Sequence, residues 1–200
     1  MLKIKTLEIA GLASVLQALR LPFSKECRSD VHTEFGEVED LMHPKQFCIG
    51  SSCSVHDADL KLLSTLVKRG AEHSKSIRGL VVYAEITAPI YFLREIETYR
   101  AGRERLSSES TMHSQCRGLS GDSLVKAKAE MPMGTIQKTI DMLSYQCLRN
   151  IVRQRHDHRL PEWHTFVDWV RTLPYAEELI FVDLGIDKDE LSTEDKGEIL

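Results

Sequence analysis

The chain has 200 residues, 42% hydrophobic and 28% charged, with a formal net charge of -4. Those values describe an ordinary globular core, and they exclude a protein that coats nucleic acid through a broad cationic surface. No apolar run approaches the roughly 18 to 20 residues that span a bilayer, and the first ten residues lack the apolar centre of a signal peptide, so the expectation is a cytoplasmic protein with no membrane segment.

Met1 to Glu8 alternates around Leu2 and Ile4 as a short strand does, and Ile9 to Leu19 has helical apolar spacing. Phe23 to Cys53 is polar and punctuated by Gly36, Pro44 and Gly50, which predicts an irregular excursion over 23–55. Cys48 and Cys53 with His43 and His56 are donors that tetrahedral zinc accepts, but the four-residue gap between the cysteines is not the two-residue knuckle. Five cysteines, an odd number without framework spacing, fit reduced thiols, and no metal site is expected. Asp57 is placed to cap a helix over 58–72, with Leu60, Leu63 and Val67 on one face.

Gly79 to Thr87, GLVVYAEIT, is the clearest strand. Pro89 then opens a helix through Arg100, and the polar stretch 101–123 reads as a loop. Pro132 opens a long helix to about His158, carrying Ile136, Ile140, Leu143, Cys147, Leu148 and Ile151. Pro161 starts a final helix whose Trp163, Phe166, Val167 and Val170 form a core stripe. The chain from Glu177 is acidic and reads as a solvated end, with 181–200 its tail and 1–180 a single domain. The class is α+β, a small sheet packed with long helices.

Arginines at 94, 100, 103 and 105 run into Ser107, Ser108, Ser110 and Thr111. Guanidinium forks bind phosphate or carboxylate bidentately and hydroxyls add directional donors, so this stretch suits a phosphorylated ligand; the same composition also suits a solvated loop. His156 and His158, two apart in a helix, point to different faces and are poor joint ligands.

On these residues the chain resembles the flavin-dependent thymidylate synthases, especially short bacteriophage-encoded members. That family has a strand, an Ala-Pro-Ile helix entry, and then Arg-His-Arg, two spacers, Ser, spacer, Asn, two spacers, Ser, spacer, Arg. With Ala88, Pro89 and Ile90 as anchor, the first element falls on Thr98, Tyr99 and Arg100, and later positions on Arg103, Arg105, Ser108 and Ser110. Arg100 and Ser108 match; a second register sets Arg103, Arg105 and Ser108 on Arg-x-Arg-x-x-Ser but breaks the anchor. Pro132, Asn150 and Arg155 reproduce the family's proline, flavin-contacting asparagine and pyrimidine-contacting arginine, and His73 matches the first histidine of an upstream element.

The resemblance implies methylation of deoxyuridine monophosphate at C5, or a related C5 alkylation of a deoxypyrimidine nucleotide, by a homotetramer. FAD is the implied cofactor, with methylene-tetrahydrofolate and NADPH as co-substrates. It makes Arg155 catalytic, Arg100, Arg103, Ser108 and Ser110 substrate-binding, and His73 and Asn150 flavin contacts. The degenerate first signature leaves a second reading, a diverged member acting as a nucleotide-binding or assembly module.

Overall fold

A computed structural model of the chain describes residues 1–23 and 55–186. Four antiparallel strands form one sheet in the order β1-β2-β4-β3. They are β1 (Lys3–Ala10), β2 (Val81–Pro89), β3 (Arg103–Ser108) and β4 (Ile136–Ser144). Among the described residues six α-helices accompany them: α1 (Leu12–Arg20), α2 (Asp57–Lys68), α3 (Ile90–Ile96), α4 (Gly121–Ala129), α5 (Tyr145–Arg155) and α6 (Pro161–Arg171). This is the α+β class expected. Most of the excursion over 23–55, with Cys48, Cys53 and His43, and most of the tail over 181–200 lie outside the described residues.

β2 supplies the core face of the sheet. Its side chains alternate, so Val82, Ala84, Ile86 and Ala88 are fully buried while Val81, Tyr83, Glu85 and Thr87 are half-buried on the other side. Leu143 of β4 joins the buried face, and the helices bring Leu16, Phe92, Leu148, Ile151 and Val167 onto it. Phe92, Trp163, Phe166 and Trp169 form an aromatic ladder with successive ring centroids 4.7, 5.6 and 5.2 Å apart, so the tryptophans are core as expected.

Four expectations need correcting. The long helix over 132–158 is a strand followed by a helix. On β4 the alternating buried positions are Thr139, Asp141 and Leu143, followed by Ser144 at the strand end, and all but Leu143 are polar, so the period of two was hidden while Ile136, Ile140 and Leu143 imitated a helical stripe. The loop expected over 101–123 contains β3 and the start of α4. β3, RERLSS, carries no buried apolar residue; its inward arginines take the place of a hydrophobic pattern. The cap of α2 is His56, whose Nδ1 accepts from the Ala58 N–H at 3.1 Å, and Asp57 is the first helical residue. The end from Glu177 is also less solvated than its charge implied. Leu179, Ile180 and Phe181 are buried, and Arg149 donates to the Ile180 and Val182 carbonyls at 2.8 Å each.

Two glycines permit close approach. Gly11 sits at φ +95°, where an added Cβ would fall 1.9 Å from the Gly79 carbonyl oxygen. Gly102 sits at φ +82°, where a Cβ would fall 2.3 Å from Ser144 Oγ, and its own carbonyl accepts from the Ser144 N–H at 2.7 Å. The turn before β3 is thereby pressed against the start of α5.

Asp141, fully buried, holds Arg103, whose side chain is 5% exposed, at 2.5 Å. Asp141→Asn should cost about 3 to 5 kcal/mol in denaturant unfolding, because it leaves a buried guanidinium without its counter-charge. Glu97→Gln, at a half-exposed partner of Arg105, should cost less than about 1 kcal/mol. Equal costs would show that the buried pair does not anchor β3.

Candidate functional site

α3 begins where Pro89 ends β2. Its first N–H groups, on Ile90 and Tyr91, donate to the Thr135 and Met133 carbonyls at 3.0 Å each, so the helix is tied to the entry of β4. It stops at Ile96, and six residues separate it from β3. Arg103 and Arg105, two apart on a strand, point to the same face. Arg103 donates through Nε and Nη2 to Asp141 Oδ2 at 3.2 and 2.5 Å, and Arg105 Nε donates to Oδ1 at 3.3 Å. Arg105 also pairs with Glu97.

Glu97, Arg100, Arg103, Glu104 and Arg105 line a cleft of about 270 Å³. Arg100 is exposed and makes no ion pair among the described residues. Three arginines and two glutamates line the cleft, and the buried Asp141 behind it engages Arg103 and Arg105, so these six charges cancel in sum and an anion would be held chiefly through directed hydrogen bonds. Ser108 is exposed at the other end of β3, and Ser110 is exposed just past it. At about 3.3 Å per residue, Ser108 lies roughly 10 Å along the strand from Arg105, the nearest residue of the cleft, and neither serine is among the residues that line it.

Arg155 leaves the last turn of α5 and meets the turn before β3. Nε donates to Tyr99 Oη at 2.8 Å, Nη1 lies 3.8 Å from Glu95 Oε2, and Cζ sits 4.9 Å from the Trp163 ring centroid. Trp163 Nε1 donates to the same Glu95 oxygen at 2.9 Å, and Tyr99 Oη donates to Gln154 Oε1 at 3.1 Å. The planar cation is stacked and oriented on one edge, while Nη2 has no partner among the described residues. The side chain remains 22% exposed.

Asn150 lies on a different face of α5. Its Oδ1 accepts from Gln146 Nε2 at 3.4 Å, and Gln146 Oε1 accepts from Ser74 Oγ at 2.7 Å. Ser74 opens a 3-10 turn, Ser74–Arg78, whose cap residue is the exposed His73. The structure therefore brings the segment of His73 to Asn150 through two residues that the motifs did not single out. In the same turn Ser76 Oγ is buried without a partner among the described residues. The free amide donor of Asn150 and the exposed His73 imidazole are groups of the kind that the polar edge of a flavin accepts.

Cys147 is two residues past the start of α5, with its Sγ 4.0 Å from the Tyr99 carbonyl. Burial pushes its thiol up to about 11, against a smaller opposite pull from Arg103. It is a protonated packing group at neutral pH, and no thiolate faces the cleft from α5. Among the described residues no group of three His, Cys, Asp or Glu could hold a metal, and His56 serves as a helix cap. Tyr91 Oη donates to Glu162 Oε1 at 2.6 Å; burial raises the Glu162 carboxyl, but this bond, a backbone N–H and the Met1 amino group together hold it below its usual value. That pair fastens α3 to α6.

No family model and no curated protein matches the chain. Solved structures do share its fold. Two are flavin-dependent thymidylate synthase ThyX from Helicobacter pylori with FAD and dUMP, at TM-scores of 0.62 and 0.61 and 13% identity each. They match over 91% and 92% of this chain and 99% of theirs. A third is the UMP/dUMP methylase PolB from Streptomyces cacaoi bound with 5-Br dUMP, at a TM-score of 0.56 and 13% identity, over 92% of this chain and 93% of its own. The fold is that of the flavin-dependent thymidylate synthases. No described helix is long and apolar enough to cross a membrane.

Site-resolved alkylation tests the inert thiol. At pH 8, Cys147 should react about two orders of magnitude more slowly in the folded chain than in urea, the ratio expected from a thiol raised from 9.0 to about 11. Comparable rates would make Cys147 an available nucleophile.

Proposed function

We propose that the protein binds FAD and methylates deoxyuridine monophosphate, or a closely related deoxypyrimidine nucleotide, at C5. The observation that carries this reading is the junction of the arginine-bearing turn with α5: Tyr99 touches Arg155, and Gly102 touches Ser144, so the two segments that resemble the family's motifs form one edge of the molecule. The shared fold supports it.

In this reading Arg155 is the catalytic residue. C5 of the pyrimidine becomes nucleophilic as negative charge grows on a ring carbonyl, and the free side of the Arg155 fork stabilises that charge. Tyr99, Glu95 and Trp163 keep the fork from rotating away, so little reorganisation is needed when the charge develops. Arg100 and Arg103 take the nucleotide phosphate at the cleft, Arg100 through an unengaged guanidinium. His73 and Asn150 hold the flavin edge. The chemistry that bound FAD supplies is carriage of the carbon and hydride, with methylene-tetrahydrofolate as carbon source and NADPH as reductant. A raised Cys147 thiol fits activation of the ring without a cysteine adduct.

Ser108 and Ser110 do not line the cleft of their own chain, and in a homotetramer they would serve a neighbouring cleft as phosphate or sugar contacts. The second reading, a binding or assembly module, draws on the neutral charge balance of the cleft.

Arg100→Ala should weaken deoxyuridine monophosphate binding by about 1.5 to 3 kcal/mol in a calorimetric titration, with unfolding unchanged. Wild-type affinity would remove Arg100 from the phosphate site. Arg155→Lys keeps the charge and loses the planar fork. Thymidylate formation should then fall by orders of magnitude while nucleotide affinity falls less, the signature of an interaction that strengthens in the transition state. Because Arg155 also ties α3, α5 and α6 together, the melting temperature is measured beside the rate. An inactive parent that binds nucleotide would favour the module, and equal turnover in parent and variant would leave Arg155 a packing residue.

A further inference from the structure

The contacts from Ser74 through Gln146 to Asn150 have a direction. Ser74 is 2% exposed, and its hydroxyl carries one proton. The acceptor for that proton is Gln146 Oε1 at 2.7 Å. Turning the Gln146 amide over would present Nε2 to Ser74 and leave the buried hydroxyl proton without an acceptor, which costs more than the exchange returns. Gln146 Nε2 is therefore committed to the other side, toward Asn150 one helical turn later. There it donates to Oδ1 at 3.4 Å, a long contact that biases Asn150 without locking it. Asn150 is left with its oxygen inward and both Nδ2 protons without a partner among the described residues.

We propose that Ser74 and Gln146 are positioning residues that set the Asn150 amide as a hydrogen-bond donor, so that this face of α5 selects a ligand presenting an acceptor edge, such as the ring carbonyls or unprotonated ring nitrogens of an oxidised flavin. The inference rests on the flavin reading of Asn150 and adds its polarity and source. Ser74 belongs to the turn after α2 and Gln146 to α5, so the orientation depends on two separate elements staying packed.

The test titrates FAD into the full chain and follows quenching of flavin fluorescence, with thermal unfolding in parallel. Ser74→Ala should weaken binding about fivefold, the equivalent of one lost neutral hydrogen bond, and Ser74→Thr should restore it. In an Asn150→Ala background, Ser74→Ala should add nothing, because its effect passes through Asn150. Gln146→Glu still accepts from Ser74 but has no donor for Asn150, so Asn150 should turn its Nδ2 inward and FAD affinity should fall again. Parent-like affinity in both Ser74→Ala and Gln146→Glu, or the same loss in both backgrounds, overturns the inference. A parent that binds no FAD instead overturns the flavin reading, and the orientation is then decided in the ligand-free chain. The Gln146 side-chain amide resonances should move toward free-amide positions in Ser74→Ala, and spectra identical to the parent would overturn it.

Discussion

The placement of the site depends on one buried carboxylate. β3 is an edge strand of arginine, glutamate, one exposed leucine and serines, with no apolar side chain turned into the core. Hydrophobic burial therefore cannot choose its register against β4. Asp141 chooses it: one oxygen accepts from Arg103 and the other from Arg105, so opposite charge does on this strand pair what packing does on β2. A slip of one residue would set Glu104 against Asp141 on the buried face. Desolvating three charged groups consumes much of the Coulombic gain, so the cluster specifies this pairing more than it stabilises the chain as a whole.

Fixing β3 fixes what precedes it. The six residues between α3 and β3 carry Tyr99 and Arg100, and Gly102 at the end of the turn lies where no other side chain would fit against Ser144. The start of α5 and the arginine turn are thus set by one glycine contact and one buried ion pair. Arg155 then closes the junction from the far end of α5, through Tyr99 from the turn, Glu95 from α3 and Trp163 from α6. An ammonium on a flexible stem could satisfy Glu95 but not the tyrosine bond and the indole stack together, which is a structural reason for arginine independent of any reaction.

What the sequence disclosed follows from this division. Where apolar residues carry the fold, as in β2 and α6, period and proline located the elements to within two residues. Where polar residues carry it, the pattern misled: Thr139 and Asp141 sit at core-facing positions of β4, and Arg103 and Arg105 at those of β3. The usable signal was the alternation of Thr139, Asp141 and Leu143 opposite a second strand with charges two apart, which becomes visible only once the two strands are paired. The spacing that singles out Asn150 and Arg155 is readable in the sequence because both residues lie on one helix, α5. Ser74, Gln146 and Glu95 are not readable in this way, since each acts through a residue distant in sequence, and polar side chains that orient other side chains leave no periodic trace.

The charge balance of the cleft bears on how a phosphate could be held. Three arginines in a solvated loop would attract any anion, including nucleic acid and free phosphate. Here Asp141 and Glu97 engage Arg103 and Arg105, so a ligand finds one unengaged guanidinium among charges that cancel in sum. Such a site discriminates by geometry. A phosphate must present oxygens to Arg100 and to the remaining N–H of Arg103 without displacing Asp141, and its dianionic charge is only partly offset. On the proposed reading the shortfall matches the position of Ser108 and Ser110, which are exposed, rich in donors and outside the lining of their own cleft. A neighbouring subunit that brought those hydroxyls over would add directional donors where the chain itself supplies too few, and assembly would then be a condition for tight nucleotide binding.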